Sequence, residues 1–160
     1  MKIRRLASGD AEALAAFYNG LSWHSRRTFR PLGWETTPEV CEGIVRDNHP
    51  ERDRKFDLIA VTGGEIVGWG FLWHLDTSQP TLGLAVADAY QGMRLGNALM
   101  DRLMKEAHRR NLSRVFLTVV TDNERAWRLY ERHGFVRIEA FRGDDGLPYY
   151  RMIAELGAEG

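Results

Sequence analysis

Hydrophobic and polar residues follow two different periods along the chain, and the change of period marks a change of secondary structure. Residues 1–6 predict a short strand. The next apolar residues recur at helical spacing after Ser8, which we expect to cap that helix. Residues 20–36 show neither period and are expected to be irregular. Thr37 followed by Pro38 then predicts the start of a second helix, because proline favours the first helical position.

The pattern then changes to three strands in succession. Residues 57–62 end at a Gly-Gly pair, which is typical of a two-residue hairpin. Residues 66–75 are rich in aromatic and branched side chains, as strands are. A turn at residues 76–80 leads into a strand at residues 81–87. Because the connections are short, we expect these strands to be antiparallel.

Helices and strands alternate in the rest of the chain. Apolar residues at helical spacing between residues 95 and 107 predict a third helix, and residues 114–120 predict a buried strand. Thr121 and Glu124 have the spacing of a capping box, which predicts a fourth helix. Two strands close the chain, at residues 135–141 and 147–153.

This order predicts an α/β (α+β) fold with a mixed central sheet flanked by helices. It runs strand, two helices, three strands, helix, strand, helix and two strands. The strand at residues 114–120 follows a helix, so it can pair in parallel with the strand at residues 81–87. With no repeat or linker in 160 residues, we expect residues 1–160 to form a single domain.

Composition narrows the class of protein. Lys plus Arg and Asp plus Glu both number 22, so no overall charge favours nucleic acid or an anionic membrane. Cys41 is the only cysteine, and its helical context predicts a buried apolar role. No apolar run approaches a membrane span, and residues 1–6 do not begin a signal peptide. We therefore expect a cytoplasmic protein, with no metal site.

The most informative segment leaves a strand, turns and enters a helix at residues 87–98. Successive backbone N–H groups at such a junction can bind an anion, and Gly92 and Gly96 would let a phosphate approach closely. The two glycines by themselves fit equally well a turn in which they only allow tight packing. The segment lacks the Gly-Lys-Ser/Thr ending of a P-loop and the glycine spacing of a dinucleotide-binding fold.

Two motifs resemble the GNAT superfamily of acyl-CoA-dependent N-acetyltransferases. The first, Gln/Arg-x-x-Gly-x-Gly/Ala between the fourth strand and a helix, is matched by Gln91 and Gly96, while Arg94 replaces the middle glycine. The second is matched throughout residues 123–135, from Asn123 through Leu-Tyr-Glu to Gly-Phe. One helix and one strand separate the two motifs, as in that superfamily.

The resemblance implies transfer of an acetyl group from acetyl-CoA (coenzyme A) to an amine in a ternary complex. The fourth and fifth strands would splay apart to hold the cofactor arm, and the Val86 N–H would stabilise the thioester oxyanion. Tyr130 would protonate the leaving thiolate. The implied cofactor-binding residues are Leu84, Ala85, Val86, Gln91, Gly92, Met93, Arg94, Leu95, Gly96, Asn97, Asn123 and Tyr130.

Several alternatives stay open from the residues themselves. Asn123 could be a helix cap and Tyr130 a core aromatic. A base for the amine is expected, yet Thr118 stands where some members carry a glutamate. The remaining candidates for the base are His74, Asp76, His24 and Glu35.

The acceptor could be an amine-bearing small molecule or a protein or peptide, and a homodimer is possible. Residues 20–36 border the acceptor cleft in similar proteins, so their aromatic and arginine side chains could hold an aromatic or anionic acceptor; a packed connector is the alternative. These side chains are Trp23, Arg26, Arg27, Phe29, Arg30 and Trp34. A non-catalytic acyl-CoA-binding or sensing domain is the main alternative function. A nucleic-acid-binding module fits the neutral charge less well.

Overall fold

The computed structural model of the chain describes residues 1–92 and 94–157. Its strands are β1 (Lys2–Arg5), β2 (Phe56–Thr62), β3 (Glu65–Trp73), β4 (Thr81–Val86), β5 (Arg114–Val120), β6 (Val136–Arg142) and β7 (Pro148–Glu155). Its helices are α1 (Ala11–Asn19), α2 (Trp23–Thr28), α3 (Pro38–Asp47), α4 (Leu95–Arg109) and α5 (Glu124–Arg132). A single 3₁₀ turn lies at Asp88–Tyr90.

All seven described strands form one mixed sheet in the order β1-β2-β3-β4-β5-β7-β6. Neighbouring strands are antiparallel except β4 and β5, which are parallel. The predicted fold class and strand pairing are therefore confirmed. The parallel pair is joined through α4, since two parallel strands need a crossover connection.

The helices bury one core on each face of the sheet. Helix α4 packs Leu99, Leu103 and Ala107 on one face, against strand residues such as Leu117. The other face holds a core that includes Trp69 together with residues of α1 and α3. Each helix buries one apolar stripe, as its 3.6-residue period requires.

Three local predictions are corrected by the structure. Helix α1 is preceded by Asp10, not capped by Ser8. The Asp10 carboxylate binds Arg4 and the Ala7 N–H, so it stabilises the turn that leads into the helix. Helix α5 likewise begins after Asn123, and the expected capping by Thr121 does not occur.

The third correction concerns residues 20–36, which are not wholly irregular. They contain the short helix α2, whose first turn is capped by the Ser22 side chain accepting a hydrogen bond from the Ser25 N–H at 3.1 Å. Helix α2 buries none of its residues, so it lacks the apolar stripe that makes a helix visible in a sequence.

Two further observations bear on the class of protein. The Cys41 side chain is buried, as predicted, and burial raises the pKa of its thiol. Across residues 1–92 and 94–157, no helix combines the length and the apolar composition that crossing a bilayer requires.

The parallel pair β4–β5 is held together at one end only. Thr81 and Phe116 form its one paired position in the described chain, and the Phe116 N–H donates to the Pro80 carbonyl at 2.9 Å. Both strands continue for several residues beyond that point, so they splay apart and leave an opening within the sheet.

Candidate active site

A cavity of about 540 Å³ occupies the opening between β4 and β5. Residues 82–86 of β4 form one wall, and Thr118 and Val119 of β5 form another. Helix α5 and the first turn of α4 close the far end, while α2 contributes His24 and Ser25. A cavity inside a sheet is possible here only because the two strands have separated.

The free edge of β4 presents backbone groups to this cavity. The Ala87 N–H donates to the Val67 carbonyl of β3 at 2.8 Å. Since N–H directions alternate along an antiparallel strand, the N–H groups of Leu84 and Val86 point the other way, toward the opening. The Val86 carbonyl on the same edge accepts a hydrogen bond from Gln91 Nε2 at 3.0 Å.

The turn between β4 and α4 adopts left-handed backbone at two described positions, Gly92 with φ of 82° and Arg94 with φ of 65°. Arg94 is the residue that replaces a motif glycine, so it holds a conformation that favours glycine. Glycine is favoured at position 92 by this backbone, and a Cβ there would lie 2.8 Å from Arg125 Nη2, so the arginine side chain would have to shift. Met93, the remaining residue of this turn predicted to bind the cofactor, lies outside the described residues.

The charge of the cavity wall suits a polyanion. Among the described lining residues are three arginines, Arg94, Arg125 and Arg132, and no aspartate or glutamate. None of the three forms an ion pair within residues 1–92 and 94–157. The backbone N–H groups of the first turn of α4 also lack helical partners and favour an anion. Arg125 and Arg132 fall on variable positions of the motif, so sequence analysis missed them.

The remaining predicted residues separate into two groups. Leu84, Ala85, Val86, Gln91, Gly92, Arg94, Gly96, Asn97, Asn123 and Tyr130 all line the cavity. Leu95 is buried in the core beneath it. Asn123 precedes α5, yet its side chain makes no capping hydrogen bond. The capping alternative for Asn123 is therefore not what the structure shows.

Tyr130 combines burial with access to the cavity. Only 7% of the residue is exposed, and its ring packs edge-on against Phe135 at a centroid distance of 6.1 Å. Burial raises the pKa of Tyr130 well above its usual range, so the phenol keeps its proton. The core-aromatic description is thus correct for the ring, while the residue also forms part of the cavity wall.

Helix α2 connects the two separated strand ends. The Ser25 hydroxyl donates to Asp88 Oδ1 at 2.6 Å, just after β4. Arg27 binds the Asp122 carboxylate, just after β5, through two contacts of 3.1 and 3.3 Å. A lone serine and a lone arginine carry no motif, which is why sequence analysis did not place α2 at the site.

A second cavity, of about 590 Å³, adjoins the first on the α2 face of the sheet. Five residues line both cavities: Thr28, Phe29, Leu82, Gly83 and Thr118. The second cavity is otherwise formed by the ends of β3, β6 and β7 and by the β6–β7 loop. Gly83 must be a glycine here, because a Cβ would lie 2.2 Å from Phe71 Cζ.

The four candidate bases occupy different places. His24 lines the first cavity and His74 lines the second. Glu35 and Asp76 are exposed and line neither. His74 also has a left-handed backbone, with φ of 60°, a conformation that often occurs at functional sites.

The comparison with protein families agrees with this geometry. Residues 19–135, about three quarters of the chain, match the model of the acetyltransferase (GNAT) family. The chain belongs to the GNAT family. The resemblance inferred from the two motifs is therefore confirmed, and membership in this family implies acyltransferase activity.

Solved GNAT structures share the whole fold. An acetyltransferase of the GNAT family from Streptococcus pneumoniae is 26% identical, with a TM-score of 0.83 over 98% of this chain and 99% of that chain. A ribosomal-protein-alanine N-acetyltransferase from Brucella melitensis is 21% identical, with a TM-score of 0.81 over 98% and 100%. A spermidine N-acetyltransferase from Vibrio cholerae, solved with CoA and spermine, is 17% identical, with a TM-score of 0.78 over 98% and 96%.

Proposed function

We propose that this GNAT protein transfers the acetyl group of acetyl-CoA directly to an amine acceptor. The observation that carries the proposal is the junction of the two cavities at the β4–β5 opening. A cofactor in the first cavity would be open to an amine in the second through the wall that Leu82, Gly83 and Thr118 share. Such an arrangement favours transfer in a ternary complex without a covalent enzyme intermediate.

The first cavity fits the cofactor by its chemistry. Arg94, Arg125 and the N–H groups of the turn would hold the phosphates, and the free β4 edge would hold the amide-bearing arm. Asn123, which has no capping bond, would donate to or accept from that arm. When bound, acetyl-CoA supplies an acetyl group activated as a thioester.

Two groups of the chain would act on the reacting atoms. The Val86 N–H would stabilise negative charge on the carbonyl oxygen. The amine nitrogen forms a bond to the acetyl carbon as the carbon–sulfur bond breaks. Tyr130 would give its proton to the departing sulfur, since burial keeps the phenol protonated. Tyr130 would then recover a proton from solvent after product release.

The amine must lose a proton in the same reaction, because an ammonium cannot attack a carbonyl. His74 is the one of the four candidate bases that lies in the second cavity, on the side from which the amine would enter. We therefore assign His74 as the group that accepts this proton, directly or through a water molecule.

The experiment follows free thiol and product mass after the pure protein is mixed with acetyl-CoA and a panel of amines. We expect thiol release that depends on the amine and forms an N-acetyl product. A parallel melting measurement with CoA should show stabilisation. Stabilisation by CoA without thiol release for any amine would reject the enzyme and favour an acyl-CoA-sensing domain. The absence of both signals would reject CoA binding altogether.

A further inference from the structure

The second cavity has two stacked pairs of aromatic rings in its wall. Phe71 and Trp73, at the end of β3, stack with ring centroids 4.0 Å apart and an angle of 19°. Phe141 and Tyr149, from β6 and β7, stack at 5.5 Å and 15°. In the strand order, β3 lies on one side of the β4–β5 opening and β7 lies on the other. The aromatic pairs therefore flank the place where the amine would react.

The Phe71–Trp73 pair is anchored by a buried carboxylate. Asp57, fully buried on β2, accepts hydrogen bonds from Trp69 Nε1 at 2.7 Å and from Trp73 Nε1 at 3.1 Å. Asn48 Nδ2 donates to the same carboxylate at 2.8 Å. Lys55 Nζ also lies over the Trp73 ring at 4.3 Å, and Phe71 is only 4% exposed. This pair therefore forms a fixed apolar wall of the cavity and not an open stacking surface.

The charges of the second cavity oppose an anionic acceptor. Its two arginines are already neutralised: Arg27 binds Asp122, and Arg30 binds Asp145 and stacks over Trp34 at 4.3 Å. Asp145 also accepts a hydrogen bond from Tyr149 at 2.5 Å. The carboxylate of Asp144, by contrast, has no ion-pair partner in the part of the chain that the structure describes.

We propose that the acceptor is a primary amine carried on a flat aromatic body without a carboxylate or phosphate. The inference rests on the proposed function, since it names the acceptor of the same reaction. The Phe141–Tyr149 pair stacks on the body, the Phe71–Trp73 pair forms a second apolar wall beside it, and the unpaired Asp144 attracts the ammonium before it loses its proton. The paired arginines offer no free charge to an anionic group. One unpaired carboxylate also offers little to a linear polycation.

The test compares three amines with a reference amine. Phenethylamine is the reference; n-butylamine lacks the ring, L-phenylalanine adds a carboxylate, and spermidine replaces the ring with further amines. With acetyl-CoA saturating, we expect kcat/KM for phenethylamine to exceed each of the others by at least about tenfold, as burial of one ring implies. An equal or higher value for any of the three would overturn this inference and leave the proposed function standing.

A pair of variants tests the site itself. Phe141 is 38% exposed on the edge strand β6, so its truncation should be tolerated, and Ile138, 47% exposed on the same strand, lies outside the cavity. Phe141→Ala should raise KM for phenethylamine at least fivefold and change KM for n-butylamine little, while Ile138→Ala should change neither. Equal effects of Phe141→Ala on both amines, or no effect on phenethylamine, would show that the Phe141–Tyr149 pair does not bind the ring of the acceptor.

If phenethylamine is not acetylated at all, the inference is overturned directly. Thiol release with the other amines then shows whether the proposed function survives. The stabilisation by CoA separately shows whether the first cavity binds its cofactor.

Discussion

The two cavities that meet at the β4–β5 opening are built in different ways. The first is formed largely by two continuous segments, β4 with the β4–α4 turn and the start of α5, and its described lining residues include arginines but no carboxylates. The second gathers residues from α2, β3, β6, β7 and their loops, and its arginines are already paired with carboxylates. The first cavity therefore fits the proposed cofactor, which carries several phosphates. The second fits the proposed acceptor, an amine on an uncharged aromatic group.

The two cavities also differ in how strongly they depend on particular side chains. Backbone N–H groups and a free strand edge can bind a ligand with many different side chains at the same positions. Side chains dispersed over several strands can change without disturbing the sheet. Substitutions at the proposed acid and base should thus affect turnover, while substitutions elsewhere in one cavity should affect the binding of one substrate only.

Replacement of Tyr130 by phenylalanine is expected to have the largest effect. The ring and its packing against Phe135 are retained, and only the proton is lost. The loss of a positioned general acid costs about 10²–10⁴ in rate. We expect kcat to fall by that factor with little change in acetyl-CoA affinity or melting temperature. Turnover within about threefold of wild type, in conditions where chemistry limits the rate, would show that Tyr130 is not the acid.

Asp57 should make the stability of the acceptor side depend on pH. Burial raises the pKa of Asp57 to about 6 from 3.8, so the folded state holds this proton more tightly than the unfolded state. Its stabilising contribution is complete below 3.8 and is lost as pH rises through about 6. The shift corresponds to roughly 3 kcal/mol.

Unfolding by urea at pH 4 and pH 7 measures this contribution. Relative to wild type, Asp57→Asn should abolish the part of the pH dependence that falls between about pH 4 and pH 6. The exposed Asp76→Asn is the matched control and should leave the profile unchanged. A parallel profile for wild type and Asp57→Asn would contradict the prediction.

His74→Gln tests the base on the acceptor side. We expect kcat to fall by about 10²-fold, the lower end for a general base, while stabilisation by CoA is unchanged. His24→Gln, on the wall of the first cavity, is the control. If His24→Gln lowers kcat more than His74→Gln does, the assignment of the base is wrong.

Gly96→Asp tests the anion site on the cofactor side. A Cβ at this position would lie 3.3 Å from Leu129 Cδ2, and the new carboxylate would stand beside the phosphates. We expect the Kd for acetyl-CoA to rise by about ten- to a hundredfold, or about 1.4–2.8 kcal/mol. Gly96→Ala adds the bulk without the charge and should raise Kd less. Equal effects of the two substitutions would mean that charge plays no part.

Arg94→Gly is expected to have the smallest effect, because it should stabilise the fold while it weakens acetyl-CoA binding. Glycine would relieve the left-handed backbone at φ of 65°, which stabilises the fold by up to about 1 kcal/mol. The lost guanidinium should weaken acetyl-CoA binding by about threefold to tenfold. Calorimetry measures the unfolding and the acetyl-CoA binding of each variant separately, with Arg94→Lys as a control that keeps the charge. Unchanged or tighter binding by Arg94→Gly would exclude a phosphate contact.

The sequence pattern was sufficient to predict the seven strands, four of the five described helices, the parallel pairing of β4 with β5 and the family, but not α2. These depend on apolar period, short connections and two contiguous motifs, which are local properties that a sequence displays directly. The choice between two neighbouring candidate caps was wrong, because it depends on side-chain hydrogen bonds that the apolar period does not report. Asp10 replaced Ser8 at the start of α1 because Arg4 and the Ala7 N–H bind its carboxylate.

The positions of the cavity-lining groups relative to one another depend on the tertiary structure. It brought α2 across both strand ends, added Arg125 and Arg132 to the first cavity, and placed His74 in the second. It also paired Arg27 and Arg30 with Asp122 and Asp145, partners more than 90 residues away in the chain. The charge that a side chain presents to a ligand depends on its neighbours in space, and a linear pattern does not contain them.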